Sequence, residues 1–250
     1  MADKATAILQ GRTGSTRLPG KVLLPLAGKP VMQHVYERVL HCQRVDRIII
    51  ATSDASQDDT IAELFEGLNV PVFRGSESDP LDRYYKAAMH YQVEHVVRVM
   101  ADCPLLDPDI VDGVIETYFE GAYDFCCLTG EFPTGLDMTV YSFSALAQSW
   151  REAEKKSERE HIQLYITNNP DQFKIGVFEK YKGLLHHRWV MDHEADYCFM
   201  EAVYSALYEP GKLFTTGDIL ALLEKQPHLA EINGGIPRDE GVRKAVEEDK

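Results

Sequence analysis

Apolar residues along the chain fall into short unbroken runs, separated by longer stretches in which they recur every three or four positions. Runs of the first kind suit strands buried on both faces, and the second spacing suits helices with one apolar stripe. On this basis 5–10, 46–52, 70–73 and 95–100 read as strands, and 31–41, 58–68, 80–92 and 108–120 as helices. Asp79 is placed to cap the third helix and Pro80 to open it. Strands alternating with helices at this spacing predict a largely parallel sheet covered on both faces. The rhythm then changes. Segments 123–128, 138–142, 174–178 and 185–191 read as extended, with helices at 143–154 and 158–168, the latter opened by a capping box of Ser157 and Glu160. Helices at 194–207 and 216–224 follow. The expected fold is α/β, a mostly parallel mixed sheet with helices on both faces, and a small later lobe over about residues 130–190 at its edge.

Composition narrows the class. With 250 residues, 44% hydrophobic and 26% charged, the chain can bury a core and reads as one large domain rather than two. No window approaches the ~18 apolar residues of a membrane helix, and no basic segment followed by an apolar one opens the sequence, so a soluble cytoplasmic protein is expected. The five cysteines (Cys42, Cys103, Cys126, Cys127 and Cys198) are scattered without a CxxC pair, which reads as reduced thiols rather than disulfides or a zinc site. A net charge of −14 argues against a nucleic-acid partner. Its distribution says more. Between Lys4 and Tyr36 stand five cations and no acid, so this window carries +5 and the remainder −19. A basic island in an acidic chain points to a local anion site, with a solvated basic loop as the plainer alternative.

The island surrounds Gly11-Arg-Thr-Gly-Ser-Thr-Arg-Leu-Pro-Gly-Lys21, which follows the first strand at the edge where open α/β sheets bind ligands. Gly11 and Gly14 let backbone approach a phosphate, Ser15 and Thr16 can donate hydrogen bonds, and Arg12, Arg17 and Lys21 supply positive charge. Gly14 to Gly20 leaves five intervening residues where a Walker loop has four, and Val22 stands where that loop needs Ser or Thr; a GxGxxG fingerprint is also absent. What remains is a triphosphate cradle of a third type. Lys21 reads as loop-borne and solvent-facing, so its removal is expected to depress rate more than stability.

The segment QGRTGSTRLPGKVLLPLAGKP at 10–30 closely resembles the signature of the sugar cytidylyltransferases, in the form found in spore-coat polysaccharide biosynthesis proteins, whose relatives include the CMP-Kdo and CMP-sialic acid synthetases. Further matches are VFRGSESDPLDRYYKAA at 72–88, RVMADCPLLDPDIVD at 98–112, GLDMTVYS at 135–142, SEREHIQLYI at 157–166 and RWVMDHEADYCFM at 188–200. The chain departs from the family at Ala101, where glycine is usual before Asp102, and at Met191-Asp192-His-Glu-Ala-Asp196, where Val-Asp-Thr-Pro-Glu-Asp is usual.

The resemblance implies a Rossmann-like nucleotidyltransferase fold in a single domain over 1–250, divided into a nucleotide-binding half (about 1–128), an acceptor-binding and dimer lobe (about 129–192) and C-terminal helices (193–250). It implies transfer of CMP from CTP to an acidic sugar-like acceptor, with Mg2+ as cofactor and a homodimer as the assembly. Asp102 becomes the first metal ligand and Asp192 the second; read alone, Asp102 equally suits a turn before Pro104, and Asp192 a helix cap. Arg12 and Lys21 fall to the triphosphate, with Arg17 beside them or paired structurally. Thr52, Ser53, Asp54, Arg74 and Arg83 lie where similar proteins read the base, and Asp82 and Arg83 equally suit surface charges. Gly135, Asp137, Arg159, Glu160 and His161 match positions near the acceptor or the subunit contact, with Glu160 also explained by its capping box. His186, His187 and His193 do not suggest a shared metal, because adjacent histidines on a strand point to opposite faces. Two other functions are weighed: a glycosyltransferase using a nucleotide-sugar donor, which the RLPGK loop opposes, and a nucleotide-binding protein without catalysis.

Overall fold

A computed structural model describes residues 3–129 and 131–250. The strands are β1 (Ala5–Gln10), β2 (Pro25–Leu26), β3 (Lys29–Pro30), β4 (Val45–Ser53), β5 (Val72–Gly75), β6 (His95–Met100), β7 (Phe125–Leu128), β8 (Thr139–Ser142) and β9 (Ile175–Phe178). The main helices are α1 (Val31–Val39), α2 (Asp59–Glu66), α3 (Pro80–His90), α4 (Pro108–Glu120), α5 (Phe143–Glu152), α6 (Lys156–Glu160), α7 (Leu164–Asn168), α8 (Glu194–Leu207), α9 (Thr216–Lys225), α10 (His228–Glu231) and α11 (Glu240–Glu248). Asp79 caps α3 by accepting from the Asp82 N–H, with Pro80 at its first position.

Seven strands form one sheet in the order β5-β4-β1-β6-β8-β7-β9, with β2 and β3 a separate small hairpin. All neighbours in the large sheet are parallel except β8, which runs antiparallel to both β6 and β7. Side chains alternate as a doubly covered sheet requires. Leu9, Ile50 and Val99 face a layer holding α1, α4 and α8, while Ile8, Ile49 and Val96 face one holding α3, α5 and α7. Gln10 pairs with Ala51 on one side and Met100 on the other, so β1 and β6 end together while β4 runs on to Ser53. The chain leaves β1 for β4 on one side and returns as β6 on the other. This reversal opens a crevice at the carboxyl edge between β1 and β6.

Two expectations are corrected. Residues 185–191 form no strand; their single ladder contact is a bridge between Thr134 and Arg188. The helix expected over 158–168 is two short ones, with Lys155 at the N-cap of α6 and Ser157 inside it, so the Ser157–Glu160 capping box is not formed. Ser157 N–H instead donates to Asp249 at 3.1 Å, and Lys156 pairs with Glu248 at 3.0 Å. A partner about ninety residues away therefore positions α6. Among the described residues no helix is long and apolar enough to cross a membrane.

Candidate active site

The loop after β1 is anchored before it is charged. A Cβ on Gly11 would lie 2.8 Å from the Ala101 Cβ and 2.9 Å from the Met32 sulfur, so this turn passes too close to its neighbours for any side chain. The next anchor is Asp58, fully buried, which accepts from the Thr13 N–H at 2.7 Å, the Thr13 hydroxyl at 2.6 Å and the Ser53 hydroxyl. Burial alone would raise the Asp58 pKa, but these hydrogen bonds hold it below the ordinary carboxylate value. The loop is thus fastened to the end of β4 by a charge that in the sequence has the place of a helix-start acid.

Lys21 sits where the loop turns back, and it is buried, contrary to the solvent-facing position expected of it. Its ammonium donates to Asp102 and, at 2.6 Å, to Asp192. Burial would lower its pKa, yet the two carboxylates outweigh that and hold it above the ordinary lysine value. Arg17 adds a 2.9 Å pair to Asp192, and Arg12 reaches Glu77 at 3.3 Å. The Met191 N–H donates to the Asp102 carbonyl at 2.9 Å, which fastens the two carboxylate-bearing segments together.

The Asp192 pKa lies at about 2: burial alone would raise it, but the charges and hydrogen bonds of Lys21 and Arg17 prevail. A carboxyl depressed on folding stabilises the fold fully above its unfolded pKa and loses that contribution as pH falls through its folded one. In urea unfolding, wild type is expected to exceed Asp192→Asn in stability at neutral pH, and the gap to close as pH falls from about 4 to about 2.

What orients Asp192 is Asp196, fully buried four residues later. Its carboxylate accepts from Arg188 at 2.8 and 3.0 Å, from the Asp192 and His193 N–H groups at 3.0 and 2.9 Å, and from Asn233 at 2.9 Å. Asp196 was visible in sequence only as the last residue of a divergent motif.

Two adjoining cavities, of about 400 and 420 Å3, meet at these residues and share Gln10, Arg12, Arg17, Asp102, Asp192 and Glu160. Gly11, Gly14, Ser15 and Lys21 line the second, on the loop side; Asp137 lines the first, and His161 lines both. The Asp137 side chain, 41% accessible, accepts from the Gly135 N–H at 2.9 Å, and its protein surroundings raise its pKa.

Other expected site residues have different partners. Ser53 is committed to Asp58, Thr52 is fully buried, and Asp54 lies exposed beyond them. Arg74 donates to the Ser53 and Ala55 carbonyls at 3.0 and 2.9 Å and pairs with Asp59 at 2.6 Å, supporting the β4 exit from outside. Arg83 is fully buried with Nη1 on the Ser76 carbonyl and two nitrogens free of partners. Asp82 accepts from Trp150 at 2.9 Å. Arg159 pairs with Asp79 at 2.7 Å and donates to the Trp150 carbonyl, tying α6 to the start of α3.

Gly135, expected near the acceptor, lines neither cavity and is fixed by sterics: its φ is +105°, and a Cβ would lie 2.3 Å from the Trp189 carbonyl carbon. Gly135→Ala is therefore expected to cost roughly 2–4 kcal/mol of stability in denaturant unfolding, rather than merely to weaken acceptor binding.

The arrangement is a glycine-and-cation turn facing two convergent carboxylates at a sheet switch point. Comparison with known proteins gives it a family. Residues 6–220 match the family model described as Cytidylyltransferase. The chain belongs to the cytidylyltransferase family. This makes it a nucleotidyltransferase enzyme, and its sheet the α/β fold of that class. A solved cytidylyltransferase from Leptospira borgpetersenii has a TM-score of 0.85 and 28% identity, over 92% of this chain and 97% of that one. The spore coat polysaccharide biosynthesis protein SpsF of Bacillus subtilis is 30% identical over 89% of this chain and 95% of its own length. A 3-deoxy-manno-octulosonate cytidylyltransferase of Trichlorobacter lovleyi is 38% identical over 45% of this chain and 44% of its own. Ala101, where glycine is usual, is buried against the Gly11 turn, and Asp196 ends the late motif in an acid despite the change between.

Proposed function

We propose that this cytidylyltransferase moves CMP from CTP to a hydroxyl of an acidic sugar-like acceptor, releasing pyrophosphate, and that the product feeds a surface polysaccharide or glycoconjugate. One observation carries the reading: the Lys21 ammonium lies between Asp102 and Asp192, under the loop that brings Arg12 and Arg17 to the same cavity. The kinds of acceptor and pathway are supported by the relatives that name spore coat polysaccharide and 3-deoxy-manno-octulosonate.

In such a transfer the acceptor hydroxyl oxygen bonds to the α-phosphorus and releases its proton to solvent, as the bond from that phosphorus to the bridging oxygen of pyrophosphate breaks. The nucleophile must approach an already negative centre, so cationic charge at the phosphates is the main requirement. Lys21 and Arg12 meet the α-phosphate and the departing pyrophosphate, and the backbone at Gly11 and Gly14 lets them come close. Asp192, steadied by Asp196, and Asp102, tied through Met191, are the residues that would hold a cation beside these phosphates.

Mg2+ suits this donor set. Two carboxylates already converge on one positive charge, and Mg2+ is ordinarily held by one or two carboxylates with phosphate oxygens and waters. Among the described residues no group of three or more His, Cys, Asp and Glu side chains is arranged around a metal position. When bound, the ion would neutralise phosphate charge and draw the α-phosphorus into line.

The direct test incubates the protein with CTP, Mg2+ and a panel of acidic sugars while pyrophosphate is followed; thermal shifts with CTP, UTP, ATP and GTP give the base preference. CTP binding is expected to stand out, and an absence of CTP binding would overturn the reading. A second expectation follows from the buried ammonium. Lys21→Met leaves Asp102 and Asp192 facing each other, so the variant is expected to melt several degrees lower without metal and to recover part of that loss with millimolar Mg2+. Calorimetric melts with and without Mg2+ check this.

A further inference from the structure

Four arginines line the 400 Å3 cavity, and three of them are already paired. Arg12 meets Glu77, Arg17 meets Asp192, and Arg188 is gripped by Asp196. Arg98 stands apart. It interrupts the apolar run of β6 on the face shared by Val96, and it is 8% exposed. Among the described residues it has no carboxylate partner; its Nη2 lies 3.2 Å from the Met100 sulfur, and its Nε has no partner at all.

Four more buried polar atoms without hydrogen bonds belong to the same cavity wall: Gln10 Oε1, Thr139 Oγ1, His161 Nε2 and Gln163 Oε1. Burial foremost, and Arg98 in addition, lower the His161 pKa against the opposing pull of Glu160. Buried polar groups are normally satisfied, and a buried guanidinium without a counter-charge is among the least favourable groups a fold can hold. One such atom is an irregularity of packing. Five in one wall, around an unpaired cation, form the complement of an anion that also carries hydroxyls.

The charge of that anion follows from the rest of the lining. Six acids face the cavity against the four arginines, so a second negative charge on the ligand would meet repulsion. A planar, singly charged carboxylate also matches the fork of a guanidinium better than a point charge would.

We propose that Arg98 binds the carboxylate of the acceptor sugar, with Gln10, Thr139, His161 and Gln163 taking its hydroxyls. The assignment rests on the transfer reaction given above and adds to it the residue that selects an acid and the kind of acid it selects. Arg98 is a specificity residue in the wall of the 400 Å3 cavity, carried by β6 rather than by the loop that meets CTP.

Two titrations on the 250-residue protein test it. CTP with Mg2+ is titrated into wild type, Arg98→Met and Arg98→Lys by calorimetry, and all three are expected to agree within about threefold. If wild type does not bind CTP, the proposed function fails, and the second titration still decides the anion site. In that second titration 3-deoxy-manno-octulosonate, N-acetylneuraminate, the methyl esters of both, and glucose 1-phosphate are added without CTP and followed by ligand-observed NMR. At least one free acid is expected to bind wild type, its ester at least about 30-fold more weakly, Arg98→Met to weaken the acid equally, and Arg98→Lys to recover most of the loss. The esters keep the result independent of whether Arg98→Met folds. Ester binding equal to the acid, acid binding that survives Arg98→Met, a preference for glucose 1-phosphate, or no binding of either acid overturns the proposal.

Discussion

Asp102→Asn is expected to lower kcat by about 1000-fold while the protein remains folded. The carboxylate lies at the end of β6, beside the point where β1 delivers its loop, and it shares the Lys21 ammonium with Asp192. Asparagine keeps the shape and one oxygen for Lys21 but removes the charge that would hold a divalent ion on the phosphates. An electrostatic contact made in the transition state is worth about a hundred- to a thousand-fold when removed singly, and a metal ligand falls at the upper end. Fold cost is small, because the mutation also relieves the repulsion between two neighbouring carboxylates. Pyrophosphate release measured beside a melting curve separates these effects. A variant with more than a tenth of wild-type turnover would move the reacting centre away from Asp102.

The largest loss of stability is expected from Asp196→Ala. This carboxylate has no solvent exposure, five hydrogen-bond donors, and Arg188, itself buried, as its counter-ion. Removing one member of such a pair strands the other and costs about 3–5 kcal/mol. In a chain of this length that is a fall in Tm of roughly 10 °C. Activity should fall further than unfolding explains, since the Asp192 N–H loses its anchor. Asp196→Asn retains an acceptor but not the charge and should fall between the two. A melting point unchanged in Asp196→Ala would show that this network is not what fixes the late loop.

Much of this was legible from residue order, for physical reasons that differ by region. The first four strands of the sheet are apolar runs closed by strong punctuation, and β6 and α4 were read to their last residues because Pro108 and the flanking turns leave little latitude. The later region was harder because its determinants are distant in sequence. Ser157 has the pattern of a capping box, yet its N–H is taken by Asp249 from the far end of the chain. Residues 185–191 have the apolar content of a strand, but Arg188 is drawn to Asp196 rather than into a ladder. The site follows the same division. The cluster of Lys21, Asp102 and Asp192 was anticipated from motifs, although the burial of Lys21 was not, because two carboxylates that neutralise it come from 81 and 171 residues away. Asp58 and Asp196 were missed because an acid that serves as an internal anchor resembles any helix-start acid until its donors are known. Arg98 did leave a signal, a lone cation in HVVRVM, which an emphasis on apolar runs passes over.

The antiparallel insertion of β8 between β6 and β7 has a mechanical consequence. The strands on the loop side of the crevice and those on its far side belong to one hydrogen-bonded ladder, with no seam along which they could swing. Opening or shutting the cleft by a clamshell motion would require tearing that ladder. The walls that lie outside the sheet, α6 and α11, are tied to each other by Lys156–Glu248 and Ser157–Asp249, so they line the cleft as one unit laid against an unbroken ladder.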